Sequence, residues 1–228
     1  MPAKASQPIA QPTARPIVCY VTDRKALRGE RGPSELLDKI RAAAAAGVDW
    51  VQIREKDLPA RELLALVRDA VALGSVRIIV NDRLDVALAA GAVGVHLGHA
   101  SAPARDVVGW CRAGNAPADF LVGVSCHSLE GAQEAESAGA SYTYFGPIYE
   151  TPSKIPFGKP HGVEELAQVA KAVRVPVIAI GGVNESNAAE CIRAGAVGIS
   201  AIRMIQDASD VDNAPALKKA IEAIHGLR

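Results

Sequence analysis

Ala42-Ala43-Ala44-Ala45-Ala46-Gly47-Val48-Asp49-Trp50-Val51-Gln52-Ile53 changes its period in the middle. Helix-forming residues run up to Ala46, and a short apolar run of the kind that makes a buried strand follows Val48. Gly47 stands between them, where a residue without a Cβ takes up the left-handed conformation that ends a helix. The same signature returns as Ala90-Gly91-Ala92, Ala138-Gly139-Ala140 and Ala194-Gly195-Ala196, at intervals of 44, 48 and 56 residues. Each copy marks one helix-to-strand junction. Each interval holds two strand-helix units, so the pattern implies eight units and predicts an α/β single-domain (β/α)8 TIM barrel.

The rest of the composition agrees. A chain of 228 residues suits one barrel and is too short for two ordinary α/β domains. With 49% hydrophobic and only 4% aromatic residues, the interior is expected to be filled by Val, Ile, Ala and Leu. Lys plus Arg equals Asp plus Glu at 25 each, so there is no electrostatic ground for nucleic acid or an anionic membrane as partner. The target is expected to be a small molecule, and a homo-oligomer is compatible with the sequence. Cys19, Cys111, Cys126 and Cys191 form no C-x-x-C pair, which argues against a disulfide framework or a zinc ribbon. No apolar stretch reaches the roughly 18 residues of a membrane span, and no apolar signal core opens the chain, so a cytoplasmic location is expected. Residues 1–15, rich in Pro, Ala and Gln, are expected to be a disordered tail preceding a barrel domain over 16–228.

Periodicity and punctuation place the elements. Strands are predicted at Ile17 to Val21, Trp50 to Arg54, Arg77 to Val80, Val93 to Leu97, Phe120 to Ser125, Tyr142 to Phe145, Pro176 to Ile180 and Val197 to Ala201. Helices are predicted at Ser34 to Ala46, Pro59 to Leu73, Leu84 to Ala90, Pro103 to Arg112, Leu129 to Ala138, Gly162 to Val173, Glu185 to Ala194 and Ala214 to Ile224.

Chemistry in such a barrel sits where strands end and the following loops begin. Arg54 and Lys56 alternate with Ile53 and Glu55 after the second strand, so both can face the barrel mouth as an anion clamp. The competing reading pairs them with Glu55 and Asp82 in a buried network. Lys154, in Thr151-Pro152-Ser153-Lys154 after the sixth strand, favours the clamp, because hydroxyls and an ammonium group together suit a phosphate or diphosphate. Gly181-Gly182 lets backbone N–H groups approach a phosphate closely, or makes a plain tight turn. Asp82, beside Asn81, faces the same mouth. A carboxylate opposite a diphosphate calls for Mg²⁺ between them, the alternative being a salt bridge to Arg54 or Arg83. His127 reads equally as a general acid or base and as a capping or packing residue. His96, His99 and His161 lack the spacing of a metal site, and Cys126 reads as a packing residue.

These residues fall into a set of motifs: Gln52-Ile53-Arg54-Glu55-Lys56, Asn81-Asp82-Arg83, Gly94-Val95-His96-Leu97-Gly98, Gly123-Val124-Ser125-Cys126-His127, Phe145-Gly146-Pro147-Ile148-Tyr149 and Ile180-Gly181-Gly182-Val183. In this order, from about Ile17 to Met204, the chain resembles the thiamine phosphate synthase and TenI family. The resemblance implies a transferase of thiamine biosynthesis that joins hydroxymethylpyrimidine diphosphate to thiazole phosphate, through a pyrimidine methyl cation captured by the thiazole nitrogen. It implies a pyrimidine diphosphate site at Gln52, Arg54, Lys56, Asn81, Ser125 and Lys154. It implies a thiazole phosphate site at Thr151, Ser153, Gly181, Gly182, Ile202 and Arg203, and Mg²⁺ at Asp82. Ser101 departs from the family pattern, standing where a second metal carboxylate is usual. Ile202-Arg203 departs too. The stretch around Ser125-Cys126-His127 is similar to the TenI branch, which implies a metal-independent thiazole tautomerase with His127 as proton shuttle. A phosphate-ligand sensor without catalysis is a third reading of the same barrel.

Overall fold

The computed structural model describes residues 15–27, 33–151, 159–208 and 214–227. Eight parallel strands, β1 (Ile17–Val21), β2 (Trp50–Ile53), β3 (Arg77–Asn81), β4 (Gly94–Leu97), β5 (Leu121–Cys126), β6 (Tyr142–Phe145), β7 (Val177–Ile180) and β8 (Gly198–Ala201), pair in chain order and close β8 onto β1. Around them lie α1 (Pro33–Ala46), α2 (Ala60–Ala72), α3 (Leu84–Ala90), α4 (Ala104–Trp110), α5 (Leu129–Ala138), α6 (Gly162–Ala172), α7 (Ala188–Arg193), α8 (Arg203–Gln206) and α9 (Ala214–His225). The punctuating glycines do what the repeat requires: Gly47, Gly91, Gly139 and Gly195 have φ of 103°, 73°, 83° and 101°. No described helix is long and apolar enough to cross a membrane.

Alternation along the strands divides the core in two. One set of side chains, including Leu36, Ile40 and Ala43 of α1 and Leu217, Ile221 and Ile224 of α9, lies between strands and helices. The other fills the barrel and contains Ile17, Cys19, Val21, Trp50, Ile79, Leu121, Tyr142, Tyr144 and Ile178. The expected aliphatic interior is therefore corrected. Three of the few aromatic residues gather inside, with Trp50 and Tyr142 edge to face at 5.0 Å between ring centroids. Gly123 makes the room: a Cβ there would lie 2.1 Å from Cζ of Tyr142.

On the face away from the mouth, Asp49 fastens the ring. Its carboxylate accepts from the Val18 amide at 2.8 Å, Arg15 Nη2 at 2.7 Å and His225 Nε2 at 2.9 Å, and Arg15 also bonds to His225 Nδ1. Arg15, assigned by sequence to the tail, thus belongs to the fold. The remainder of that expected tail, 1–14, lies outside the described residues.

Three further differences have local causes. α7 starts at Ala188 because Asn184 and Asn187 form side-chain turns: the Asn187 carbonyl oxygen accepts from the Asn184 amide at 2.8 Å, and that of Asn184 from the Ser186 amide at 2.9 Å. Such local bonds compete with helix. α4 gives way after Trp110 to a wide turn over Cys111–Asn115, with Gly114 at φ 93°. The four-residue α8 after β8 was not anticipated; its length is too short for periodicity to reveal.

Candidate active site at the barrel mouth

The inward phase of β2 runs through Trp50 and Gln52, so Arg54 is the next residue aimed at the mouth. Its backbone is held in place, its amide donating to Thr22 Oγ1 at 2.9 Å. Thr22 in turn donates to Glu55 Oε1 at 2.6 Å, and the Arg24 amide reaches both Glu55 oxygens at 3.2 Å, with Arg24 Nε 3.6 Å away. Burial pushes the Glu55 carboxyl pKa up, against the lowering pull of Thr22 and Arg24. The acid that could have neutralised the clamp is thus occupied by the loop after β1. Among the described residues Arg54 and Lys56 make no ion pair, so the buried network with Glu55 and Asp82 does not form. Strand β2 ends at Ile53, one residue before the prediction, and exposed Lys56 sits in a turn rather than on an extended segment.

Gln52 and Asn81 meet across β2 and β3, Gln52 Nε2 donating to Asn81 Oδ1 at 3.0 Å. Gln52 Oε1 is buried without a partner. Asp82 follows with φ 67°, strained for a residue with a side chain. Its amide donates to the His96 carbonyl at 2.8 Å and its carboxylate is exposed. Arg83 pairs with Asp85 at 2.6 Å, and no ion pair joins Asp82 to Arg54 or Arg83. No cluster of three or more His, Cys, Asp or Glu able to hold a metal occurs among the described residues.

Ser125, on the inward phase of β5, receives or gives a hydrogen bond at 2.8 Å with His96 Nε2. His96 Nδ1 lies 3.1 Å from the Tyr142 hydroxyl, and the ring stacks on Tyr144 at 4.2 Å. Burial foremost, and then the charge of Arg54, depress the His96 pKa to about 3, so the imidazole is neutral. Sequence reasoning passed over His96 for want of metal spacing. The signal available was its phase, two residues after Gly94 on a strand whose inward side leads to the mouth.

His127 Nδ1 bonds to the Gly146 carbonyl, which only accepts, so Nδ1 carries the proton. The helix cap at that place is Ser128, whose Oγ accepts from the Gly131 amide at 3.1 Å. Cys126 is buried, as its packing role requires. Across the mouth, Gly181 and Gly182 have φ of 92° and 69°, and their amides donate to no acceptor among the described residues. The Gly182 carbonyl accepts from Asn187 Nδ2 at 3.1 Å, fixing the turn. Ile202 and Arg203 open α8 beside them. Thr151 is half-buried; Ser153 and Lys154 lie outside the described residues.

Thr22 is the joint between the clamp and its support. Thr22→Val removes the acceptor of the Arg54 amide and a donor to buried Glu55, so it should cost about 1–3 kcal/mol. Urea denaturation measures that loss.

Comparison with known proteins agrees with this architecture. The family profile described as thiamine monophosphate synthase matches residues 18–205. A putative thiamine-phosphate synthase of Geobacter sulfurreducens is 44% identical over 81% of this chain and 84% of its own length. A thiamine-phosphate synthase of Roseiflexus sp. is 42% identical over 100% of this chain and 91% of its own. Among solved structures, thiamine phosphate pyrophosphorylase from Pyrococcus furiosus superposes with a TM-score of 0.77 at 30% identity, covering 91% of this chain and 95% of that one.

Proposed function

The chain belongs to the thiamine monophosphate synthase family, and from that membership we infer its reaction: it condenses 4-amino-2-methyl-5-hydroxymethylpyrimidine diphosphate with thiazole phosphate, giving thiamine phosphate and pyrophosphate. The observation that carries this reading is the pair of anion sites at one mouth. Among the described residues, Arg54 and Lys56 stand without acidic partners on one side, and the amides of Gly181 and Gly182 stand without acceptors on the other. Two phosphorylated substrates need two such sites. A barrel that places phosphate after its seventh and eighth strands, next to a short extra helix, matches the second.

The bond between the pyrimidine methylene carbon and the diphosphate oxygen breaks with its electron pair on oxygen, and the thiazole nitrogen lone pair forms the new C–N bond. Negative charge grows on the leaving diphosphate. Arg54 and Lys56 at the end of β2, together with Lys154, which the sequence assigns to the same site, stabilise it as fixed positive charge. The Gln52–Asn81 amide pair offers one acceptor, Gln52 Oε1, and one donor, Asn81 Nδ2, which suit the amino group and ring nitrogen of an aminopyrimidine. Turning both amides over exchanges their roles and leaves the same complementarity. Thr151, Ser153, Gly182 and the turn at Ile202 and Arg203 hold the thiazole phosphate.

Asp82 fits a Mg²⁺ site as its one protein carboxylate, with diphosphate oxygens and water as the other ligands, since Mg²⁺ is commonly held by one or two carboxylates and substrate phosphates. Bound there, Mg²⁺ would supply Lewis-acid neutralisation of the diphosphate charge. This reading places the enzyme in the cytoplasm and gives it no nucleic-acid or membrane partner.

Pyrophosphate release on mixing the protein with both substrates and Mg²⁺ tests the assignment, and its absence overturns it. Ser101 sharpens the test. Its Oγ accepts from the Gly98 amide at 2.8 Å, and a carboxylate placed there can keep that bond and present a second, hard oxygen. Ser101→Asp should therefore lower the Mg²⁺ concentration for half-maximal turnover. Metal-independent isomerisation of a thiazole carboxylate phosphate, lost in His127→Ala, would instead make the chain a tautomerase.

A further inference from the structure

His96 is 1% exposed, and the mechanism above gives it no contact with either substrate. We infer that His96, held by Tyr142 in one tautomer, is a positioning residue that sets the Ser125 hydroxyl as a hydrogen-bond donor toward the pyrimidine diphosphate. The inference rests on the reaction assigned above.

A neutral imidazole has one donor and one acceptor. Two arrangements therefore satisfy the 3.1 Å contact between Nδ1 and Tyr142 and the 2.8 Å contact between Nε2 and Ser125. In the first, the Tyr142 O–H donates to Nδ1 and Nε2–H donates to Ser125 Oγ, so the proton of Ser125 remains for the mouth. In the second, Nδ1–H donates to Tyr142 and the Ser125 proton is drawn down into the ring. The phenol proton is then left to a neighbouring hydroxyl oxygen, that of Tyr144, which also bonds Cys19 Sγ at 3.0 Å and is a weaker acceptor than an imidazole nitrogen. A phenol O–H is a stronger donor than a serine O–H, so pairing the strongest donor of the array with its strongest acceptor, the imidazole nitrogen, selects the first arrangement.

Nothing in this array turns freely. The imidazole stacks on Tyr144 at 4.2 Å, Tyr142 packs edge to face on Trp50 at 5.0 Å, and the missing side chain of Gly123 leaves space for the Tyr142 hydroxyl, which a Cβ would approach to 2.4 Å. A serine hydroxyl facing water samples several rotations. Fixing its proton beforehand removes a reorganisation that would otherwise accompany the reaction.

A double-mutant cycle read by pyrophosphate release tests the coupling. His96→Phe keeps a buried ring and removes both hydrogen bonds; it should lower kcat by about tenfold or more while leaving KM for thiazole phosphate unchanged. His96→Gln, whose amide nitrogen can take the place of Nε2, should recover most of the loss. In a Ser125→Ala background, His96→Phe should cost nothing further. An equal fold-loss in both backgrounds overturns the inference, because it makes His96 a packing residue only. The ¹⁵N resonances of His96 give a second readout, independent of turnover and of how the variants fold: a proton on Nε2 supports the inference, and one on Nδ1 overturns it. A Ser125→Ala enzyme of full activity overturns the place of Ser125 in the site. An inactive wild type overturns the reaction itself, and this inference with it.

Discussion

Lys56→Ala and Lys154→Ala should each slow pyrophosphate release by about 10²–10³-fold, the loss that follows removal of one preorganised donor to charge that develops in a transition state. Lys56 is exposed and makes no ion pair among the described residues, so nothing in the fold depends on its ammonium group. The variant should keep the circular dichroism and unfolding midpoint of the parent, and the loss should appear in kcat, since the charge it opposes grows as the C–O bond breaks. Added salt cannot restore it, because a diffuse counterion atmosphere does not replace a fixed charge at the leaving group. Lys154, whose place is argued from sequence alone, should behave in the same way if it closes over the same diphosphate. Unaltered turnover in both variants, with the fold intact, would remove the clamp from the mechanism.

The second large effect is expected at Gly182. Its φ is +69°, and a Cβ added there would lie 2.7 Å from the Glu150 carbonyl oxygen and 2.7 Å from Tyr149 Cβ. The left-handed conformation costs an ordinary residue about 1–2 kcal/mol, and forcing a methyl group against packed backbone adds about 1–3 kcal/mol. Gly182→Ala should therefore destabilise by about 2–5 kcal/mol in chemical denaturation. The same methyl group displaces the turn proposed above to bind the thiazole phosphate, so KM for that substrate should rise while the pyrimidine diphosphate site is spared. Gly74→Ala is the control for backbone strain alone, with φ +65° and nothing within 4 Å of the added Cβ. A Gly182→Ala enzyme no less stable than the Gly74→Ala enzyme would show that the loop yields at no cost.

The barrel was legible because its punctuation is local. A glycine that must be left-handed, as at Gly47 or Gly139, reports on its own residue, and four copies count out the ring. Arg54 and Lys56 could be singled out for the same reason, by their place just past a strand. What could not be read is which charges meet. Glu55 is adjacent in sequence to both cations, yet its hydrogen bonds go to Thr22 and Arg24, about thirty residues away, because closing β1 against β2 brings that loop over it. His96 was missed for a related reason: its partners Tyr142 and Ser125 come from strands β6 and β5, and neither spacing nor composition announces the contact. Low aromatic content likewise says nothing of where the few aromatics collect.

The bonds that join Arg15 and His225 through Asp49 have a consequence for how the ring tolerates rearrangement. They bring the start of the first strand and the end of the last helix together on the face opposite the mouth. The seam of the polypeptide is thus a non-covalent one, set far from the chemistry. Linking the two ends there and cutting the backbone instead at another glycine-marked bottom loop, such as the one at Gly139, would permute the order of the eight units without displacing any strand end. Turnover retained by such a permuted chain would show that the site depends on spatial order and not on covalent order.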